Sequence, residues 1–216
     1  MAAGDFTWGH NRESDVRAHV LAWDGRLDNR PVLAWRFAQP SSTSEGFDRT
    51  DAGLALAAYG KRGLDGLADL IGDWSLVLYD PREDAVVLAS DYAGVRPLYY
   101  RHDERGVRWS PTLAALVEST SAAGIDESYV RHYLLSGGCA DRTPYAGIRV
   151  VPPGEAVRLT RSGITRHTLW VPPVRDSIQY RDERRYDEHL RVLFREAVAV
   201  RLQERTPVFA ELSGGF

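Results

Sequence analysis

The sequence has 216 residues, enough at roughly 150 residues per domain for one generous domain, or for one domain and part of another. Hydrophobic residues make up 44% and charged residues 26%, close to globular averages, which excludes global disorder and a collagen-like chain. The net charge of −3 argues against a generally basic, nucleic-acid-binding surface, and no apolar run approaches the ~18 residues a membrane helix needs.

The opening MAAGDFTWGH has neither the basic nor the apolar region of a secretory signal. The single cysteine, Cys139, rules out an intrachain disulfide framework and a cysteine-based zinc cluster, so the expected compartment is the cytoplasm. Lys61 is the only lysine among the 27 basic residues. Arginine forks for phosphate or carboxylate groups are one reading of that bias. A GC-rich coding sequence is the other, and the even scatter of the arginines favours it.

In chain order, Val16 to Trp23 reads as a strand, because Val16, Ala18, Val20 and Ala22 alternate with Arg17, His19, Leu21 and Trp23. Asp24-Gly25 reads as a turn, and a short helix is predicted over Pro31 to Ala38 with Asn29 as its cap. Gln39 to Arg49 is a polar loop rich in Ser, Pro and Gly, and Asp51 to Gly63 is a helix. Trp74 to Asp80 and Ala85 to Ser90 are strands about a turn at 81–84. Pro97 to Arg101 and Val107 to Ser110 form a second pair through Asp103 to Gly106. Short strands joined by such turns make antiparallel hairpins rather than βαβ crossovers.

Helices are predicted over Thr112 to Glu118 and Asp126 to Leu135. Val150 to Gly154 then breaks the chain, and Glu155 to Thr160 with Ile164 to Trp170 makes another hairpin. Pro172 to Asp182 reads as a linker. Beyond it, Arg184 to Gln203 is one amphipathic helix with Tyr186, Leu190, Leu193, Phe194, Ala197 and Val198 on one side. Pro207 to Leu212 is a short apolar strand that runs into Ser213-Gly214-Gly215. Helix, strand and Gly-rich loop in that order begin a parallel nucleotide-binding sheet, and Leu212, Ser213, Gly214 and Gly215 would offer backbone N–H groups to a phosphate. An ordinary tight turn is the plainer reading of a lone SGG.

Four segments in this order resemble the asparagine synthetase family over nearly the whole chain. Gly72 to Asp80 (GDWSLVLYD) and Ala89 to Tyr100 (ASDYAGVRPLYY) look like its glutaminase half, the second matching R-D-x-x-G-x-K/R-P-L-Y-Y at every position but Ser90. Gly147-Ile148-Arg149 with Val151 to Gly154 resembles G-I-R/K…L-P-P-G. Pro207 to Gly215 resembles the strand and loop that open the synthetase domain, which continue as SGG-x-DS.

The resemblance implies an α+β fold: an N-terminal-nucleophile αββα sandwich of antiparallel sheets over residues 1–175. The first elements of an α/β ATP-pyrophosphatase domain would follow over residues 176–216. It also implies ATP and Mg2+ as cofactors of the completed enzyme. A small-molecule or peptide carboxylate would be the acyl substrate, adenylated and then attacked by an amine. A missing C-terminal domain or a protein partner would complete the site, with no nucleic acid or membrane partner.

The departures from the family shape the expected function. The family's nucleophile is a cysteine at position 2, whereas this sequence reads Met1-Ala2, so no catalytic residue is assigned; Cys139 sits in a Gly137-Gly138-Cys139 loop and reads as incidental. The substrate-binding segment N-G-E-I-Y-N appears as Asp24-Gly25-Arg26-Leu27-Asp28-Asn29, with a carboxylate for the polarising amide and the opposite charge at Arg26. Asp51 matches the aspartate that pairs with the substrate α-amine, with helix capping as the other reading. Only 23 residues precede Asp24 and no H-R-G-P-D stretch is present, so both ends of the chain read as cut.

These departures resemble the subgroup of lasso-peptide macrolactam cyclases and β-lactam synthetases, which take their amine from the substrate and need no ammonia. The expected function is therefore ATP-dependent amide formation through an acyl-adenylate, beside a glutaminase-like domain without its nucleophile. The alternatives are a fragment of a glutamine-hydrolysing asparagine synthase, or a non-catalytic scaffold that binds a partner. The six histidines have no H-x-x-x-H or H-E-x-x-H spacing, so no metal site is predicted, and no G-x-S-x-G elbow supports a serine triad.

Overall fold

Every strand pairing in the computed structural model is antiparallel; the model describes residues 4–7, 19–37, 49–119, 124–137, 141–172, 178–202 and 209. The chain divides into two units, Met1–Val171 and Pro172–Phe216. In the first unit a five-stranded sheet runs in the order β2 (Val20–Leu27), β3 (Gly72–Asp80), β4 (Ala85–Ser90), β8 (Glu155–Thr160), β9 (Gly163–Thr168). A four-stranded sheet has the order β1 (Gly4–Thr7), β6 (Gly106–Ser110), β5 (Tyr99–Asp103), β7 (Arg149–Val150).

The central strands β3 and β4 are apolar on both faces, which fits a sheet covered on both sides. On one face Trp74, Leu76, Leu78, Val87, Ala89 and Ala156 pack against three helices, α1 (Arg30–Phe37), α2 (Asp51–Arg62) and α3 (Leu64–Leu67). On the other, Val77, Val86, Leu88, Val157 and Leu159 meet Leu98, Tyr100 and Val107 of the second sheet's side. The order is thus helix layer, sheet, sheet, an α+β architecture, and α4 (Leu113–Glu118) lies beside β5 and β6 with Leu116 buried. Helix α5 (Glu127–Ser136) buries no residue; Asp126 caps it, accepting from the Ser128 and Tyr129 N–H groups.

Asp91, 1% exposed, joins three stretches of chain. Its carboxylate accepts from the backbone N–H of Trp74 at 3.0 Å, Ala93 at 2.7 Å and Val95 at 3.2 Å. Its carbonyl accepts from the N–H of Gly94 and Gly154. Gly94, at φ +63°, passes so close to Pro153 that a Cβ would lie 2.9 Å from the proline Cγ.

Several sequence expectations are corrected here. Asp24-Gly25 is no turn: β2 runs straight through it, with Asp24 paired to Ser75 and Gly25 to Trp74. Glycine is needed at 25 because φ is +133° and a Cβ would sit 2.1 Å from the Asp73 carbonyl oxygen. Asn29 precedes α1, but its side chain does not cap the helix; its Nδ2 donates to the Asp69 carbonyl and its Oδ1 accepts from the Ile71 N–H. Gly60 stays inside α2, and the unexpected α3 follows the Gly63 cap at φ +60°. The hairpin turns at 104–105 and 161–162 are two residues long rather than three or four. Residues 16–18, the loop over 38–48, Cys139 and the strand and loop over 207–216 lie outside the described residues, apart from Phe209.

The second unit contains α6 (Arg184–Arg201), along which Tyr186, Leu190, Leu193, Phe194 and Val198 are exposed. The Tyr180 hydroxyl lies 2.8 Å from His189 Nδ1, and the Tyr180 backbone N–H donates to the Tyr186 hydroxyl oxygen at 2.9 Å. No helix among the described residues is long and apolar enough to cross a membrane.

Two stability predictions follow from these contacts. Asp91→Ala strands three backbone donors and should cost about 3 kcal/mol or more in a urea titration. Tyr59, in α2, donates its hydroxyl to Asp80 Oδ2 at 3.0 Å; burial first, and then the Asp80 charge, pushes the phenol above its ordinary value of 10.0. Unfolded Tyr59 ionises near that value while the folded phenol stays protonated. Its contribution to stability is therefore complete below it and is lost as the pH rises further. Tyr59→Phe should cost about 1 kcal/mol at neutral pH and flatten the loss of stability at alkaline pH, as read from denaturation midpoints against pH.

Candidate functional site

The site forms where the edge strand β2 ends against the start of α2. As an edge strand, β2 has backbone groups that the sheet does not pair. Asp51 takes one of them: its Oδ2 accepts from the Leu27 N–H at 2.9 Å. The other carboxylate oxygen, Oδ1, lies 2.8 Å from Arg30 Nη1, yet it is buried and accepts no aligned hydrogen bond, so the contact is an ion pair. Arg30 also donates through Nη2 to the Arg49 carbonyl at 3.0 Å. Capping of α2 falls to Thr50, whose hydroxyl accepts from the Gly53 N–H at 3.2 Å, so the Asp51 carboxylate serves the strand and Arg30 instead.

These groups border an open cleft of about 480 Å³, lined by Trp23, Gly25, Arg30, Arg49, Thr50 and Asp51 together with Ala52. Trp23 is locked in place. Its ring stacks on Trp74 at 5.8 Å and 17°, and its indole N–H donates to the Gly25 carbonyl at 3.1 Å. A second cavity of about 350 Å³, bordered by Leu67, Leu70, Ile71, Trp74, Tyr92 and Trp170, is mostly apolar and holds no acid or base beyond the Tyr92 phenol. Of these two cavities among the described residues, the Asp51 cleft is the one lined by ionic side chains.

Of the four substrate-binding residues expected from sequence, the structure brings Gly25 and Asp51 to this cleft. Asp24 and Arg26 alternate with Trp23 and Gly25 along β2 and so point to the opposite face, towards the second sheet. Arg26 is held there by Asp28 and by Asp73, the latter at 2.8 Å from Nη2. Burial pulls the Arg26 guanidinium down, but the Asp73 hydrogen bond and the two carboxylate charges outweigh it and leave it above its ordinary value.

Asp24 begins a polar row on the inner face of the five-stranded sheet. Ser75 is its register partner and Ser90 is the partner of Ser75, while Glu155 precedes the Ala156 that pairs with Ala89. Ser75 Oγ, Ser90 Oγ and Glu155 Oε2 are buried without a hydrogen-bond partner, as is Trp109 Nε1 on the facing sheet. Buried polar atoms of this kind are normally satisfied by water or a ligand, so this patch between the sheets is suited to hydration.

Sequence reading missed Trp23, Arg30 and Arg49 as members of the cleft. Arg30 stands one residue past the DGRLDN segment, but nothing in a linear pattern tells that its guanidinium reaches Asp51. Ala2, Cys139 and Leu212 to Gly215 lie outside the described residues. Among the described residues no group of three or more His, Cys, Asp or Glu side chains could hold a metal ion.

A profile described as the glutamine amidotransferase domain matches residues 13–170. A Methanocaldococcus jannaschii protein named as a glutamine-hydrolysing asparagine synthetase is 25% identical over 211 residues, covering 94% of this chain and 39% of its own length. Asparagine synthetase B of Escherichia coli is 33% identical over 90 residues, 42% of this chain and 16% of that protein. The chain thus spans well under half the length of these relatives. Among solved structures, the glutamine phosphoribosylpyrophosphate amidotransferase of B. subtilis aligns with a TM-score of 0.48 and 17% identity, over 74% of this chain and 31% of that one.

The charge environment of Arg26 generates a prediction. Arg26→Glu places a third carboxylate between Asp28 and Asp73 and should cost about 2 kcal/mol or more, while the neutral Arg26→Gln should cost less. Urea midpoints for the two variants check the order; equal costs would mean that charge pairing is not what holds this end of β2.

Proposed function

Since the chain belongs to the glutamine amidotransferase domain family, we propose that it is the glutaminase-like half of an asparagine-synthetase-like, ATP-dependent amide-forming enzyme in which this half no longer hydrolyses glutamine. The observation that carries the reading is the Arg30–Asp51 ion pair at 2.8 Å, which occupies the carboxylate where the family resemblance puts the substrate α-amine. By resemblance alone, Asp24 also departs from the family: a carboxylate stands where the polarising amide is expected, and a carboxylate is no donor to an oxyanion.

In this reading the amine comes from the substrate rather than from glutamine, as in a macrolactam cyclase or ligase. The acyl carboxylate attacks the α-phosphorus of ATP and releases pyrophosphate; the amine then attacks the acyl carbon and AMP leaves. ATP and Mg2+ are assigned to the completed protein, with Leu212, Ser213, Gly214 and Gly215 proposed to begin the phosphate loop. The domains proposed are 1–175 for the glutaminase-like part and 176–216 for the start of the ATP-binding part.

The test uses the full reading frame as the cell encodes it. Pyrophosphate release from ATP in the presence of candidate acyl substrates should be unchanged by added glutamine, and glutamine alone should yield no glutamate. Release of glutamate and ammonia from glutamine would overturn the reading in favour of a glutamine-hydrolysing asparagine synthase. Absence of both activities across substrates would favour a non-catalytic, partner-binding role.

A further inference from the structure

We propose that Arg30 acts as a built-in occupant of the ammonium position in the Asp51 cleft, so that the cleft selects small carboxylates without an α-amine over amino acids. The inference rests on the reading that this is a glutaminase-like pocket, and it adds what that pocket now takes.

The charges in the cleft support it. Asp51 is the one acidic side chain among the lining residues, and both of its oxygens are engaged, Oδ2 by the Leu27 N–H at 2.9 Å and Oδ1 by Arg30 Nη1 at 2.8 Å. An incoming ammonium would have to displace a guanidinium that is tethered twice, at Asp51 and at the Arg49 carbonyl. Among the described lining residues, with Arg30 and Asp51 cancelling each other, the remaining formal charge is that of the Arg49 guanidinium, which complements an anion. Guanidinium groups match the two oxygens of a carboxylate in a planar fork, which favours a carboxylate over a compact cation or a neutral amide.

Trp23 uses its indole N–H on the Gly25 carbonyl and stacks its ring on Trp74, so it offers an apolar flank for a short methylene chain. A cleft of about 480 Å³ has room for a five-carbon diacid. Arg30 is half exposed, so its removal does not open a hole in the core, and it is a specificity-determining residue rather than a support of the fold.

The experiment compares glutarate with glutamine on the purified chain at low ionic strength, by calorimetry and by thermal stabilisation. The pair shares a five-carbon chain and differs in the α-ammonium and the terminal amide; glutamate, which keeps both carboxylates of glutarate and adds only the α-ammonium, separates the two differences. The wild type should bind glutarate at least about tenfold more tightly than glutamine or glutamate, since a charge-assisted contact is worth more than 1.4 kcal/mol. Arg49→Ala should weaken glutarate by a similar factor. Arg30→Ala, and independently Arg30→Gln, should shrink or reverse the preference by freeing Asp51 for the ammonium, without a change in circular dichroism.

Equal affinity of the wild type for glutarate and glutamine, no binding of glutarate, or a preference untouched by both Arg30 variants would overturn the proposal. Hydrolysis of bound glutamine would instead remove the glutaminase-dead reading on which it rests, and glutamate release in the same samples reports that separately.

Discussion

The carboxylate of Asp91 is the constraint on which the frame of the first unit depends. A buried carboxylate is expensive unless its oxygens are satisfied, and here three backbone N–H groups converge on it from Trp74, Ala93 and Val95. Trp74 belongs to the GDWSLVLYD strand, Ala93 and Val95 to the SDYAGVRPLYY turn, and Gly154, bonded to the Asp91 carbonyl, to the VPPG segment. Three stretches that are separate in sequence are thus tied at one residue. That tie sets where β4 ends and where β8 begins, and it holds the core of the five-stranded sheet in register.

From that register the position of the cleft follows. Because β3 and β4 occupy the covered middle of the sheet, β2 is left at the edge, with backbone donors facing outward. Asp51, at the first turn of α2, closes one of them and brings Arg30 with it. The cleft is therefore a product of an edge strand meeting a helix start, with a glycine at 25 because no side chain fits against the Asp73 carbonyl.

Charged groups in this region are met by opposite charge. Arg26 carries the opposite sign to the residue expected from the family resemblance, but it lies between Asp28 and Asp73, both acidic, and is paired to each. Arg30 neutralises Asp51 in the same way. Each of these groups faces opposite charge: Arg26 lies against two carboxylates, and Asp51 is paired with Arg30. The arginine bias that reads in sequence as a property of the coding DNA includes, in the folded chain, the residues that define the cleft.

Legible from the sequence were the hairpins and the helices it places at 31–38, 51–63, 112–118, 126–135 and 184–203, each within a residue or two of the folded bounds, and Gly25 and Asp51 as residues that the fold then brings to one cleft. These are local matters: alternation, capping residues, glycine breaks and short motifs act over a few positions. It could not tell that Asp24-Gly25 lies inside a strand, because a turn and a positive-φ glycine in an edge strand share the same two residues. Only pairing with Ser75 and Trp74, about fifty residues away, decides between them. Nor could it place Asp24 and Arg26 on the face opposite Asp51, since strand parity is set by which side the helices cover. The Arg30–Asp51 ion pair and the Asp91 junction were likewise decided by tertiary structure alone, because each joins groups from different elements that meet only after the sheet has formed.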